Sequence, residues 1–217
     1  MVPRILPRLY LLTDRHQTHQ RPLTSVVSQA LEAGARMVQI REKDLGTRPL
    51  IDVAQQLTPL IHQHQGIVFL NDRVDLVLAL DADGVHLRSD SLPVPLARRL
   101  LGKDKLIGVS THSVEDVRQA EDEGADFVVL GPIFETPSKR IYGPPLGLHT
   151  LESACQESHL PIFAIGGITP KHVPTVLSVG AHGIAVISAI LQAPCIQDST
   201  RELLSQLSQF VNKYRSP

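Results

Sequence analysis

The sequence is poor in features that mark several classes of protein. It contains only two cysteines, Cys155 and Cys195, without CxxC spacing, which predicts two inert thiols in a reducing compartment. Lysine and arginine total 21 against 22 aspartates and glutamates, and no long block of like charges occurs. Nucleic acid is therefore not an expected partner.

Long hydrophobic runs are also absent. The longest mostly apolar run, residues 183–191, has about half the length that a membrane span requires. Residues 1–12 are interrupted by Pro3 and Pro7 and lack the apolar core of a signal peptide. We therefore expect a soluble, cytoplasmic protein with no membrane partner.

Short apolar runs alternate with longer amphipathic stretches along the whole chain, which is typical of repeated βα units around a buried parallel sheet. No GxGxxG follows the first predicted strand, so a dinucleotide-binding sheet is not expected. Because eight similar strands fill 217 residues with short connections, the sequence predicts one α/β domain, a (β/α)8 TIM barrel spanning residues 1–217. The strands are predicted at residues 8–12, 37–41, 67–71, 84–87, 106–110, 127–131, 161–165 and 183–187.

A weak internal repeat marks the points where helices end and strands begin. It recurs as GARMVQI from residue 34, DADGVHL from 81, GADFVVL from 124 and GAHGIAV from 180. Three copies begin with glycine, the usual residue just past a helix end. One helix is harder to place, because Thr169 and Pro170 favour a helix start whereas Pro174 removes a hydrogen bond one turn later. We expect that helix to start late or to kink.

Polar residues gather at the C-terminal ends of the predicted strands, where barrel enzymes carry out their chemistry. Gln39 and Arg41 lie two apart on the second strand and so face the same side, the barrel interior. An inward arginine needs an anion, either a carboxylate partner, Asp14 or Asp72, or a phosphate ligand. Two lysines, Lys43 and Lys139, lie just past strand ends. They favour a multiply charged phosphate as the ligand.

Asn71 and Asp72, after the third strand, allow two interpretations. Both residue types cap helices well, so the pair could simply start the next helix. Alternatively, Asp72 is a Mg²⁺ ligand, because magnesium prefers one or two carboxylates together with phosphate oxygens and water.

Gly166 and Gly167 follow the seventh strand, and Ser188 follows the eighth. This placement matches the phosphate site that many barrels build from these two loops, although paired glycines also mark ordinary turns. His112, two residues after Ser110, is either a structural histidine or a general acid or base. His86 belongs to the polar residues at the end of the fourth strand, whereas histidines in loops or on helix faces are predicted to be solvated, such as His16, His62 and His182.

Seven segments, in order and over nearly the whole chain, resemble the thiamine phosphate synthase family. They are VQIREKD at 38–44, LNDRVD at 70–75, ADGVHL at 82–87, IGVSTHS at 107–113, GPIFETPSK at 131–139, AIGGI at 164–168 and AVISAI at 185–190. The resemblance implies an enzyme that joins hydroxymethylpyrimidine diphosphate to thiazole phosphate, releasing pyrophosphate through a largely dissociative step. Mg²⁺ and cationic residues would stabilise the departing pyrophosphate.

The same resemblance implies a role for each matching residue. Asp72 would bind Mg²⁺. The pyrimidine diphosphate would be held by Gln39, Arg41, Lys43, Asn71, Ser110 and Lys139. The thiazole phosphate would be held by Thr136, Ser138 and the amides of Gly167 and Ser188.

One segment departs from the family pattern. Synthases usually place a second Mg²⁺-binding aspartate after the fourth strand, and here that position falls on Ser91 in the run Arg88-Ser-Asp-Ser. Either Asp90, one residue earlier, takes the role, or the metal is bound through Asp72 with more water. Both arrangements predict a weakened metal site.

Three other functions fit parts of the pattern. A related thiazole tautomerase uses a histidine placed like His112 and no metal, but it gives no reason to retain a diphosphate site. A non-catalytic thiazole phosphate or thiamine phosphate binding protein would keep the pocket without turnover. A sugar phosphate epimerase would share the Gly166, Gly167 and Ser188 site, but not the run from Gln39 to Lys43. Relatives with this barrel are often dimers, so a homodimer is possible.

Overall fold

A closed barrel of eight parallel strands forms the centre of the molecule. The computed structural model describes residues 6–136 and 143–214. Neighbouring strands pair in chain order, and the last strand closes on the first through Leu9 with Ile184 and Leu11 with Val186. The strands are β1 (Leu9–Leu12), β2 (Met37–Ile40), β3 (Ile67–Asn71), β4 (Gly84–Leu87), β5 (Leu106–Thr111), β6 (Phe127–Leu130), β7 (Ile162–Ile165) and β8 (Gly183–Val186).

Helices surround the barrel and cover the outward side chains of the strands. They bury a continuous aliphatic layer between helix and strand, which provides most of the hydrophobic stabilisation. The helices are α1 (Leu23–Glu32), α2 (Thr47–Gln63), α3 (Val74–Ala79), α4 (Val94–Leu101), α5 (Val114–Asp122), α6 (Gly147–Glu157), α7 (Val173–Ser178), α8 (Ser188–Leu191) and α9 (Ile196–Tyr214).

The predicted fold is confirmed, and no predicted strand end differs from the observed one by more than one residue. The repeat also behaves as predicted, because Gly34, Gly124 and Gly180 all have positive φ angles just past a helix. Asp81 takes the same left-handed conformation in the fourth copy, with φ of 51°. The helix after β7 starts late, since a 3-10 turn at Pro170–His172 precedes α7.

Aromatic rings fill the barrel interior below its C-terminal end. Tyr10, Phe69, Phe127 and Phe163 meet edge to face, with ring centroids 5.1 to 5.8 Å apart. Such contacts are favourable beyond the area that they bury. This aromatic layer closes the interior from below, so the polar side chains above it face a shallow, closed-bottomed space.

Three predictions about side chains can be compared with the structure. Cys155 and Cys195 are free thiols, as predicted. His16 is exposed, but His62 is partly covered and pairs with Asp83 at 2.9 Å.

The prediction of a solvated His182 is wrong. Its ring packs against Phe163, and its Nε2 lies 2.9 Å from the carbonyl oxygen of Leu6. Burial lowers the pKa of this histidine. The local sequence does not reveal that His182, near the start of β8, is buried below the interior layer.

In the parts of the chain that the structure describes, no helix is both long and apolar enough to cross a membrane.

Gly84 gives a direct test of barrel packing. A Cβ atom there would collide with the carbonyl oxygen of Leu106 and with the Phe69 ring. We expect Gly84→Ala to lower the free energy of unfolding by about 2 kcal/mol or more, because backbone of the next strand cannot move away cheaply. Gly46→Ala is the matched control, since nothing lies within 4 Å of that position. Urea unfolding should show the control within about 0.5 kcal/mol of wild type, and equal effects would contradict the packing described.

Candidate active site

Gln39 and His86 form a buried polar layer directly above the aromatic rings. The Gln39 amide donates from Nε2 to the hydroxyl of Tyr10 at 2.9 Å, while its Oε1 is buried without a partner. His86 Nε2 lies 2.9 Å from the hydroxyl of Ser110, and its Nδ1 is likewise buried without a partner. Burial, with a smaller contribution from the Arg41 guanidinium, lowers the pKa of His86 to about 3. The imidazole is therefore neutral at physiological pH.

From the sequence, His86 lies in the predicted fourth strand and received no functional role. The available signal was the strand alternation of Val85, His86 and Leu87, which turns the imidazole to the side opposite its apolar neighbours. The structure shows that this side is the barrel interior, where His86 is 2% exposed.

Arg41 follows β2 and is largely buried. Burial lowers its pKa, while the negative charges of Asp14 and Glu42 act in the opposite direction. Within the described residues Arg41 forms no ion pair, so the predicted alternative of a carboxylate partner, Asp14 or Asp72, is not realised. The nearby Glu42 is already engaged, because it accepts from the hydroxyl of Thr13 at 2.7 Å and from the amide of Arg15 at 3.0 Å. A largely buried guanidinium that forms no salt bridge is suited to binding an anion.

Asp72 follows β3 directly and has a left-handed conformation, with φ of 63°. Its amide donates to the His86 carbonyl at 2.9 Å, which ties β3 to β4 at the mouth. The carboxylate atom Oδ1 is buried without a partner, and Oδ2 lies 3.2 Å from Nε of Arg88. The helix-capping interpretation of Asn71 and Asp72 is wrong, since the N-cap of α3 is Arg73 and no side chain caps it.

Arg88 also pairs with Asp90, whose Oδ1 lies 3.2 Å from the same Nε. Asp90 is exposed, and Ser91 is partly buried. Among the residues that the structure describes, no three His, Cys, Asp or Glu side chains are grouped as a metal site. The carboxylates still fit magnesium, because this ion takes one or two carboxylates and completes its shell with water and substrate phosphate. The unpartnered Oδ1 of Asp72 supplies one such position.

On the other side of the mouth, Gly166 and Gly167 have φ angles of 97° and 65°. A side chain on Gly167 would collide with the carbonyl oxygen of Glu135, so the loop after β6 packs directly on the glycine pair. Thr136 lies in this loop and is partly buried, and Ser188 is the first residue of α8. These residues all follow the C-terminal ends of β6, β7 or β8.

His112 lies immediately after β5. Its Nδ1 is 2.6 Å from the carbonyl oxygen of Gly131. A carbonyl can only accept, so Nδ1 carries the proton and Nε2 of the neutral ring is a hydrogen-bond acceptor. Its backbone amide donates to Asp116 at 2.7 Å, which further orients the loop.

Three further site residues were predicted from the sequence. Lys43 is exposed just past β2, while Ser138 and Lys139 lie outside the described residues.

Comparison with known proteins agrees with this architecture. Residues 9–190 match the family model described as thiamine monophosphate synthase. The thiamine-phosphate synthase of Roseiflexus sp. (strain RS-1) is 43% identical over 195 residues, which cover 90% of this chain and 83% of that protein. The corresponding protein of Syntrophomonas wolfei is also 43% identical over 195 residues, covering 90% and 93%.

Solved structures give the same result. Thiamine phosphate pyrophosphorylase from Pyrococcus furiosus superposes with a TM-score of 0.86 at 34% identity, covering 94% of this chain and 96% of that one. A 3-hexulose-6-phosphate synthase is similar in fold alone, with a TM-score of 0.67 at 18% identity.

The buried His86 generates a pH prediction. Its pKa is about 3 in the folded chain, against an ordinary value of 6.5. Between pH 3 and pH 6.5, His86 therefore binds a proton more readily in the unfolded chain than in the folded one. His86 therefore costs no stability above pH 6.5, and stability falls as the pH decreases from 6.5 towards 3, by up to about 1.4 kcal/mol per pH unit. We expect His86→Gln to flatten the pH dependence of urea unfolding between pH 6 and 4.5.

His19→Gln is the control for this measurement, because His19 lies in an exposed turn. If the His86 and His19 variants showed the same slope as wild type, His86 would not be the neutral, buried group described above.

Proposed function

The chain belongs to the thiamine monophosphate synthase family, and we propose that its reaction takes place at the C-terminal mouth of the barrel, on the residues described above. The reaction joins hydroxymethylpyrimidine diphosphate to thiazole phosphate, giving thiamine phosphate and pyrophosphate. The chain is thus a transferase of thiamine biosynthesis. The tautomerase alternative is not favoured, because the relatives over nearly the whole chain carry the synthase name.

One observation supports the location most strongly. Four buried polar side-chain atoms of described residues lack a partner, and three belong to the mouth: Gln39 Oε1, Asp72 Oδ1 and His86 Nδ1. An unsatisfied buried polar group costs roughly 1–3 kcal/mol, so three in one place indicate a surface that is completed by a ligand.

We assign the buried polar layer to the pyrimidine. Gln39 Oε1 requires a hydrogen-bond donor, and His86 Nδ1 accepts or donates according to its tautomer. An amino-substituted pyrimidine supplies a donor amino group and acceptor ring nitrogens. The Ser110 hydroxyl fixes the His86 imidazole at Nε2. His86 then holds the pyrimidine in place as a neutral group and adds no charge below it.

The diphosphate is assigned to the cationic side of the mouth. The buried Arg41 guanidinium meets the phosphates directly, with Lys43, Asn71 and Lys139 as the further ligands that the family pattern supplies. Bond cleavage leaves negative charge on the departing pyrophosphate, and a desolvated arginine stabilises that charge more than a solvated one does. Arg41 is therefore proposed to contribute to the rate as well as to binding.

Mg²⁺ is proposed as the cofactor, held by Asp72 with Asp90 as a weaker second ligand, and when bound it neutralises part of the pyrophosphate charge. The thiazole phosphate is proposed to lie opposite, between Thr136, Ser138 and the amides of Gly167 and Ser188. In this arrangement His112 borders the thiazole, with its Nδ1 held by the carbonyl oxygen of Gly131.

The cellular setting is also a proposal. Two free thiols support a cytoplasmic enzyme, because reduced cysteines are typical of that compartment. Large apolar side chains are exposed on α3 and α4, and they support a homodimer through this face. They are Leu78, Leu96 and Leu100.

The first test is synthesis by the purified protein from both substrates with Mg²⁺, with thiamine phosphate read as fluorescent thiochrome. We expect product with wild type and a loss of about 100-fold in kcat for Asp72→Asn, since the carboxylate positions the metal. Asp104→Asn, an exposed aspartate before β5 at the opposite end of the barrel, is the matched control and should retain full activity. Absence of product from folded wild type would refute the proposal.

Arg41 gives a second test, in which activity and stability are expected to respond differently to the same substitution. Arg41→Met should lower kcat/KM by at least about 100-fold, because the buried cation meets the diphosphate. The same variant should be as stable as wild type or more stable, because an unpaired buried charge is removed. Arg99→Met, an exposed arginine on α4, is the control for both measurements. Loss of stability together with activity would instead indicate a structural role for Arg41.

A further inference from the structure

Arg88 occupies an unusual position between the two carboxylates of the proposed metal side. It follows β4 directly, and its Nε lies 3.2 Å from Asp72 Oδ2 and 3.2 Å from Asp90 Oδ1. A divalent cation and the Arg88 guanidinium would therefore compete for the negative charge of the same two carboxylates.

The ion pairs of Arg88 are weak enough to exchange. The side chain of Arg88 is 47% exposed and that of Asp90 is 75% exposed, whereas Asp72 is 26% exposed. Partly solvated pairs of this kind typically contribute between about 0 and 1 kcal/mol each. Within the described part of the chain, Arg88 donates no further hydrogen bond, so most of its guanidinium fork remains available to a ligand.

A diphosphate changes the balance between these partners. Its oxygens match the planar guanidinium in a bidentate arrangement, which a single carboxylate oxygen contacting Nε does not provide. If Arg88 turns from Asp72 and Asp90 to the diphosphate, both carboxylates become available while phosphate oxygens arrive to complete a metal shell.

We propose that Arg88 is an exchangeable counter-ion that pairs with Asp72 and Asp90 in the free enzyme, neutralising part of their charge, and moves to the diphosphate when that substrate binds. This inference rests on the proposed function of the site. Its consequence is an order of binding, in which the divalent cation enters with the diphosphate and binds the free protein poorly. Because binding free energies are reciprocal, the metal must in turn strengthen diphosphate binding by the same factor.

The test measures metal binding directly, without turnover. Mn²⁺ is titrated into wild type and Arg88→Gln, with and without inorganic pyrophosphate, and water proton relaxation reports the Mn²⁺ bound to protein, with the buffer complex of Mn²⁺ and pyrophosphate as the blank. Without pyrophosphate, Arg88→Gln should bind Mn²⁺ about fivefold more tightly than wild type, as expected for two weak ion pairs. Pyrophosphate should strengthen Mn²⁺ binding by a larger factor in wild type than in the variant.

Equal Mn²⁺ affinities of wild type and Arg88→Gln without pyrophosphate would overturn the proposal. Arg99→Gln removes the same charge from the exposed surface of α4. If it tightened Mn²⁺ binding as much as Arg88→Gln, the effect would be one of net charge and the exchange would again be refuted.

Asp72→Asn separates this inference from the proposed function. Loss of Mn²⁺ binding in Asp72→Asn, with no effect of Arg88→Gln, would refute the exchange alone and leave the metal role of Asp72 standing. Unchanged Mn²⁺ binding in Asp72→Asn would refute both the metal role and the exchange.

Discussion

The burial of polar groups above a closed aromatic layer is the constraint on which the rest of this site depends. The rings of Tyr10, Phe69, Phe127 and Phe163 fill the barrel from below. Any inward side chain one layer higher is therefore cut off from water on that side while still facing an open mouth. Gln39 and His86 occupy such positions, and each keeps one atom without a protein partner.

These unsatisfied groups are tolerated because the aliphatic layer between helices and strands supplies most of the stability independently of the mouth. Groups that bind a ligand must be left open to it, so the free chain is less stable than the scaffold allows. Arg41 is a charged group at the mouth that is likewise left open to a ligand. Its neighbour Glu42 is held by Thr13 and Arg15, and within the described residues Arg41 forms no direct ion pair.

The two arginines at the mouth, Arg41 and Arg88, have different surroundings. The positive charge of Arg41 is largely buried and forms no ion pair among the described residues, whereas that of Arg88 is partly exposed and shared between two carboxylates. Ser91, where the family pattern predicts a carboxylate, leaves the region of Arg88 with fewer carboxylates. A desolvated cation suits the proposed stabilisation of the leaving group, and an exposed, exchangeable one suits the proposed control over metal entry.

Much of the fold could be read from the sequence, because short β-rich runs alternate with helical stretches and glycine marks several helix ends. Gln39 could be placed inward from strand alternation alone. What could not be read are features created by contacts between elements distant in the chain. The pairing of Asp72 with Arg88 depends on how β3 meets β4, and the burial of His182 depends on closure of β8 against β1. Asp81 shows the limit of local rules, since it takes a left-handed conformation where the other repeats use glycine.

A crystal structure of the protein with thiamine phosphate, pyrophosphate and Mg²⁺ would test the central claim most directly. The proposed site predicts the pyrimidine ring in hydrogen-bond contact with Gln39 Oε1 and His86 Nδ1, and pyrophosphate oxygens on the Arg41 guanidinium. A structure in which these three groups stayed without ligand contacts, with the product bound elsewhere, would contradict it.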